Sequence, residues 1–216
     1  MPAKNTLKPY ATNGYYHLYN RGVDKNEVFL DDQDFSVFLS YLIEYLSPQV
    51  PPTIEELRSR DRFYVRKNYN QVIELLSYCL MPNHFHFQLK QKEPRAIEGF
   101  MRSLLGRYVV YFNRHHQRIG PLFQSVYKGV LIERENYFLW LSRYIHRNPL
   151  EIVKKEGSLA DYPYSSYAVY LKLRKSDWVK SEVILATAGK DYKRFVEDEE
   201  NNKSKAPLDF DQYTLE

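Results

Sequence analysis

The sequence predicts an α+β fold: a ferredoxin-like, split βαβ antiparallel sheet followed by a C-terminal helical extension. Three observations predict it. Candidate elements run in the order β-α-β-β-α-β-α, and the first six are those of a ferredoxin-like sheet. Three segments carry apolar residues at helical spacing. The segments between them are shorter, aromatic and aliphatic, and bounded by Gly, Pro or Asn. At 216 residues the chain allows one domain with an extension, long enough to bury a core.

Each element has a local reason. Residues 15–22, YYHLYNRG, are aromatic and end at Gly22, which reads as a strand. Residues 31–46 begin with acidic cap candidates and place Phe35, Phe38, Leu39, Leu42, Ile43 and Leu46 on one helical face. Residues 47–70 hold Pro48, Pro51 and Pro52 with mixed charge and read as a connector, with a short helix near 53–60. Residues 72–80 form an apolar strand, interrupted by Met81-Pro82-Asn83 because proline cannot donate to a ladder. Alternation resumes over 84–91, a further strand. Residues 95–117 are the clearest helix, with Ile97, Phe100, Met101, Leu104, Leu105, Tyr108, Tyr111 and Phe112 on one face, and Gly120-Pro121 stops it. Residues 123–132 read as a strand and 135–147 as a helix carrying Phe138, Leu141 and Ile145. Further helices are expected near 165–173 and 181–188. Residues 197–216 are charged and poor in apolar groups, the pattern of a disordered tail.

Composition narrows the function. No apolar run approaches the roughly 18 residues of a membrane span, and the N-terminus has no secretory pattern. One cysteine, Cys79, excludes a disulfide framework and a cysteine zinc site, so a cytoplasmic protein is the expectation. Twenty tyrosines lift the aromatic share to 16%. The net charge of +4 is uneven: residues 197–216 hold seven acids against Lys203 and Lys205, a net of −5, which leaves +9 on residues 1–196. A basic, tyrosine-rich body fits a polyanion such as nucleic acid, or simply a solvated surface over an aromatic core.

Two patterns carry chemistry. His84 and His86 flank Phe85 on a strand, so both imidazoles share one face and Phe85 takes the other. Such a pair can offer two neutral nitrogens to a divalent metal, or merely hydrogen-bond at a sheet surface. Gln88 continues that face, and HFHFQ also resembles the nucleotidyl-transferring histidine-triad proteins. His115 and His116, beside Arg114 and Arg118, read as a basic patch or a helix C-cap. His17 reads as a satisfied core residue and His146 as part of the last core helix. In LSRYIHRNPLEIV, Tyr144 and Asn148 lie four residues apart on one helical face. A phenol and an amide oxygen there can meet one ligand, although Asn148-Pro149 also suits a plain helix break.

Taken together, the segments YYHLYNRG, YCLMPNHFHF, YFNRHHQRIGPLFQSVYKGVLI, YFLWLSRYIHRNPL and DYPYSSYAVYL resemble the single-tyrosine HUH transposases, most closely the REP-associated tyrosine transposases, over roughly residues 14–171. The resemblance implies an HUH nuclease fold in which His84, His86 and Asn148 hold the metal and Tyr144 is the nucleophile. It implies a catalytic domain over 1–153, a packed helical extension over 154–196 and an acidic tail over 197–216. Two departures stand out: Gln88 occupies a position that is more often apolar, and the 47–71 connector is long and rich in Pro and charge.

The implied reaction is reversible cleavage of single-stranded DNA at hairpin-forming repeats through a covalent 5′-phosphotyrosine. The covalent link conserves the ester's energy, so no nucleotide cofactor is needed. A phenol with the ordinary pKa of about 10 is only about 0.1% ionised at pH 7, a cost of about 4 kcal/mol that a metal can offset. The resemblance points to Mg²⁺, with Mn²⁺ a natural substitute at a mixed N/O site. Eight Lys and Arg lie between Lys90 and Lys128 against Glu93 and Glu98. Of these, Arg95, Arg102, Arg107, Arg114, Arg118 and Lys128 are the candidate DNA contacts, with nearby aromatics to stack unpaired bases. The expected partner is single-stranded or hairpin DNA near the nucleoid, bound by a monomer or homodimer. A non-cleaving DNA-binding protein on the same scaffold, a histidine-triad-like transferase, and a replication or mobilisation nuclease of the HUH class are the competing readings.

Overall fold

The structure, a computed structural model, describes residues 10–49, 67–153, 157–189 and 191–198. Strands β1 (Tyr15–Arg21), β2 (Ile73–Met81), β3 (His84–Gln91) and β4 (Lys128–Ile132) form one antiparallel sheet in the order β2-β3-β1-β4. The first and third strands are therefore central, the arrangement of the ferredoxin-like fold. Pro82 and Asn83 turn β2 into β3, and their carbonyls accept the amides of Val28, Phe29 and Gly22. A Cβ on Gly22 would meet the Asn26 carbonyl oxygen at 2.1 Å, so glycine alone fits where β1 ends.

Helices α1 (Asp32–Leu46) and α2 (Ala96–His115) cover one face. The Asp31 carboxylate caps α1 by accepting the Asp34 amide at 2.9 Å. Phe38 of α1 meets Phe85 and Phe87 of β3 at 5.8 and 6.2 Å between rings, and Tyr108 of α2 meets Phe38 at 4.8 Å. Because strand side chains alternate, Phe85 and Phe87 in this layer put His84 and His86 on the other face. That second face is covered by α3 (Glu135–Arg147), followed by α4 (Leu150–Val153), α5 (Tyr167–Tyr170), α6 (Ser181–Ala188) and α7 (Tyr192–Glu197).

The C-terminal segments also cover the edge of the sheet. Leu80 N donates to Tyr164 O at 2.9 Å, Ser166 N to Tyr78 O at 3.0 Å, and Lys180 N to Leu75 O at 2.8 Å. The outer side of β2 is thus paired rather than left open to other chains. Among the described residues, no helix is long and apolar enough to cross a membrane.

Several elements differ from the sequence expectation. The strand expected over 123–132 is only Lys128–Ile132. Ahead of it, the Asn20 side-chain amide donates to the carbonyls of Ser125 and Val126, so a side chain replaces the ladder there. The helix expected over 165–173 shrinks to Tyr167–Tyr170, since residues 164–166 spend backbone groups on β2. Two 3₁₀ turns (Val23–Lys25, Leu159–Asp161) and helices α4 and α7 are additional. Glu197, read as the start of the tail, ends α7. The expected helix near 53–60 and residues 199–216 lie outside the described residues.

Candidate active site

Register assembles the site. Pairing of β1 with β3 sets His17 opposite Gln88, Tyr19 opposite His86 and Arg21 opposite His84. Directly paired residues share a face, so all six side chains lie beneath α3. Gln88 anchors the start of that helix: its amide nitrogen donates to the Phe138 carbonyl at 2.8 Å, and Ser77 Oγ donates to its oxygen at 3.1 Å. Further along, the Tyr144 ring meets His86 edge-on at 5.3 Å between centroids and His17 at 6.2 Å. One turn later Asn148 Oδ1 lies 3.2 Å from His84 Nε2. The helix therefore runs antiparallel to β3 and lays Phe138, Tyr144 and Asn148 over Gln88, His86 and His84 in turn.

Hydrogen bonds fix which atoms face inward. Asn148 Nδ2 donates to the Tyr144 carbonyl at 3.0 Å, so its oxygen must be the atom turned to His84. Asn83 Nδ2 donates to Lys25 O at 3.1 Å, which turns its oxygen to His84 Nδ1 at 2.6 Å. Both nitrogens of His84 thus face acceptors. Burial, with a smaller push from the Arg21 charge and against the Asn148 contact, lowers the His84 pKa to about 4, so the ring is neutral near pH 7. A neutral imidazole has one proton. With that proton on Nδ1 toward Asn83, a lone pair on Nε2 faces the Asn148 oxygen.

His86 shows the same preparation. Its Nδ1 is 2.8 Å from His17 Nε2, and both rings are fully buried. Its Nε2 is buried with no hydrogen-bond partner. Burial first, then the neighbouring His17, His84 and Arg21, holds its pKa well below 6.5. An unpartnered buried nitrogen and an imidazole lone pair facing an amide oxygen are what a cation would relieve. The N, N, O set fits a divalent metal with open positions.

Residues 54–148 match the IS200-like transposase family. A solved structure of a REP-associated tyrosine transposase bound to a REP hairpin is similar in fold, with a TM-score of 0.51 at 14% identity, over 82% of this chain and 91% of that chain. No curated protein matches the chain.

The basic residues are divided between the two faces. Arg95, Arg102, Arg107 and Arg114 belong to α2 or its cap, and Arg118 follows it, on the side of the sheet away from the histidines. Arg95 and Arg102 both pair with Glu98, at 2.8 and 2.7 Å. Arg107 pairs with Glu44 at 3.0 Å and stacks on Tyr41. Arg118 donates to Asn113, and Arg114 lines a groove with Tyr41, Tyr111 and His115. Lys128 alone of the six lies on the histidine face, paired with Tyr19 and 5.8 Å from its ring. Among the described residues, Asp31, His115 and His116 also bring three ligand atoms within 4.8 Å of one another, at the far end of α2. There His116 Nε2 already contacts both Asp34 oxygens, at 2.9 and 3.0 Å.

Sequence reasoning read His17, a neighbour of the histidine pair, as a satisfied core residue and did not single out Arg21. Their odd-numbered spacing with Tyr19 along one strand was the available signal, but it has meaning only once the register is known. It also took Gln88 for a departure. The fully buried side chain is the bolt between sheet and helix. Gln88→Ala should lower unfolding stability by about 1–3 kcal/mol, because it leaves buried Ser77 Oγ without its acceptor; a urea titration reads this, and an unchanged midpoint would remove Gln88 from that role.

Proposed function

We propose that this protein is a transposase, a metal-dependent single-stranded DNA endonuclease and strand transferase acting on hairpin-forming repeats. The observation that carries the reading is the meeting of Tyr144, His84, His86 and Asn148 on one sheet face, with the inward nitrogen of His86 buried and unpartnered.

In this reading His84 Nε2, His86 Nε2 and Asn148 Oδ1 hold the metal. Bound Mg²⁺ or Mn²⁺ supplies Lewis-acid polarisation of the phosphate oxygens and neutralises developing charge. Tyr144 Oη forms the new ester bond to phosphorus and releases its proton. The bond from phosphorus to the 3′-oxygen breaks, that oxygen takes up a proton, and a 5′-phosphotyrosine and a free 3′-hydroxyl result. Attack by another 3′-hydroxyl reverses these changes and joins strands, with Tyr144 recovering its proton. Asn148, bonded to the Tyr144 carbonyl, couples the ligand set to the helix that bears the phenol. Lys128, on the same face, attracts the DNA backbone, while the arginines on and after α2 contact phosphates of hairpin regions farther from the reacting bond.

The fold likeness to a transposase solved with a REP hairpin supports the choice of substrate. Incubating labelled hairpin DNA carrying a single-stranded flank with the protein and Mg²⁺ should give a covalent adduct that survives denaturing electrophoresis. The adduct should vanish with Tyr144→Phe and with chelator. An adduct formed equally by Tyr144→Phe would sink the proposal.

A further inference from the structure

Arg21 is the unexplained charge of the site. It is the last residue of β1, pairs across the sheet with His84, and therefore points to the same face as the histidines. Its Nε is buried and has no hydrogen-bond partner. Among the described residues no carboxylate pairs with it. Its position is rigidly defined, since Arg21 N donates to Asn20 Oδ1, Arg21 O accepts from Gln124 N, and Gly22 next in the chain tolerates no Cβ.

A permanent cation beside two neutral imidazoles has no structural benefit. A guanidinium paired across the sheet with His84 also repels, by Coulomb's law, a bare cation on that face. An anion on this face would satisfy the unpartnered guanidinium nitrogen. A phosphodiester is such an anion, and the planar N–H fork of arginine matches two of its oxygens.

We propose that Arg21 is a catalytic residue that clasps the scissile phosphate on the sheet face that carries His84, His86 and Asn148; this rests on the nuclease reading. Arg21 donates N–H bonds to the non-bridging oxygens, whose negative charge grows as Tyr144 attacks. It forms and breaks no covalent bond and neither gains nor loses a proton. The unpartnered Nε is the donor kept for substrate.

The test separates Arg21 from its neighbours by the sign of two effects. Arg21→Met keeps the aliphatic stem and removes the charge; Arg21→Lys keeps the charge and removes the fork. With hairpin DNA and Mn²⁺, Arg21→Met should slow Tyr144 adduct formation by about 10²–10³-fold, as removal of a transition-state donor does. Arg21→Lys should recover part of that loss. In the absence of DNA, Mn²⁺ titration followed by electron paramagnetic resonance should show affinity equal to or tighter than wild type for Arg21→Met. Adduct formation within threefold of wild type overturns the proposal, and so does Mn²⁺ affinity that falls in step with the rate, which would make Arg21 a scaffold residue. If wild type itself forms no Tyr144 adduct, the nuclease reading fails and this inference falls with it.

Discussion

His86→Ala should abolish Mn²⁺ binding at the site and slow covalent capture of hairpin DNA by about 10²–10³-fold, the equivalent of the several kcal/mol that a metal contributes to transition-state charge. His86 sits at the centre of the cluster, between His17 at 2.8 Å and the Tyr144 ring at 5.3 Å, and its free nitrogen is the best-prepared ligand atom on that face. The substitution removes the proposed ligand and also leaves His17 Nε2 without its imidazole partner. His17→Phe should give a milder loss, about 10–100-fold in metal affinity, because it only unfixes the ring that binds. Mn²⁺ titration monitored by electron paramagnetic resonance, together with the adduct assay, reads both variants; undiminished Mn²⁺ affinity in a folded His86→Ala protein would place the metal elsewhere.

Acid should destabilise the metal-free protein steeply below pH 6.5. Burial lowers His84 to about 4 and His146 to about 3, and holds His86 well below 6.5. Each of these rings is neutral in the folded chain and gains a proton in the unfolded chain once the pH drops below about 6.5. The unfolded state then binds more protons, so stability is full above that pH and declines as pH falls from about 6.5 toward 4. Each ring contributes a slope of about 1 kcal/mol per pH unit in that window. His146 is an internal control because it belongs to a separate network, with Nδ1 2.8 Å from Tyr192 Oη and Nε2 2.7 Å from Ser166 Oγ. Urea midpoints between pH 7.5 and 4.5 measure the slope, and Mn²⁺ should reduce the part that comes from His84 and His86. A midpoint flat across this range would show that the buried rings are not held neutral.

What could be read in the chain and what could not differ by sequence distance. The tyrosine-bearing helix has the residues expected, 135–147, because its apolar spacing and Pro149 are local signals. The strand with His84 and His86 is local too, since alternation alone puts Phe85 and Phe87 into the core. The hydrogen bond between His17 and His86 spans 69 residues and depends on a pairing that neither strand specifies by itself. The same is true of Arg21 beside His84. The overextended strand before Lys128 failed for a related reason: the Asn20 amide, more than 100 residues away in sequence, occupies the carbonyls that a ladder would use. The arginines illustrate a different limit. Charge density along a helix is visible in letters, but the side of the sheet on which that helix packs is not.

The tyrosine helix is fastened on its outer flank as well as its inner one. Arg143 donates to the carbonyls of Phe195 and Asp198 at 2.7 and 2.8 Å, Arg147 donates to Val196 O at 2.7 Å, and Ser166, which meets His146, is itself hydrogen-bonded to β2. Lending Tyr144 to a neighbouring molecule would mean shedding these tethers or peeling the whole carboxyl-terminal wrap off the sheet. A lone polypeptide thus already unites the groups that the proposed strand-breaking chemistry calls for, and subunit exchange would come at the expense of bonds it has already made.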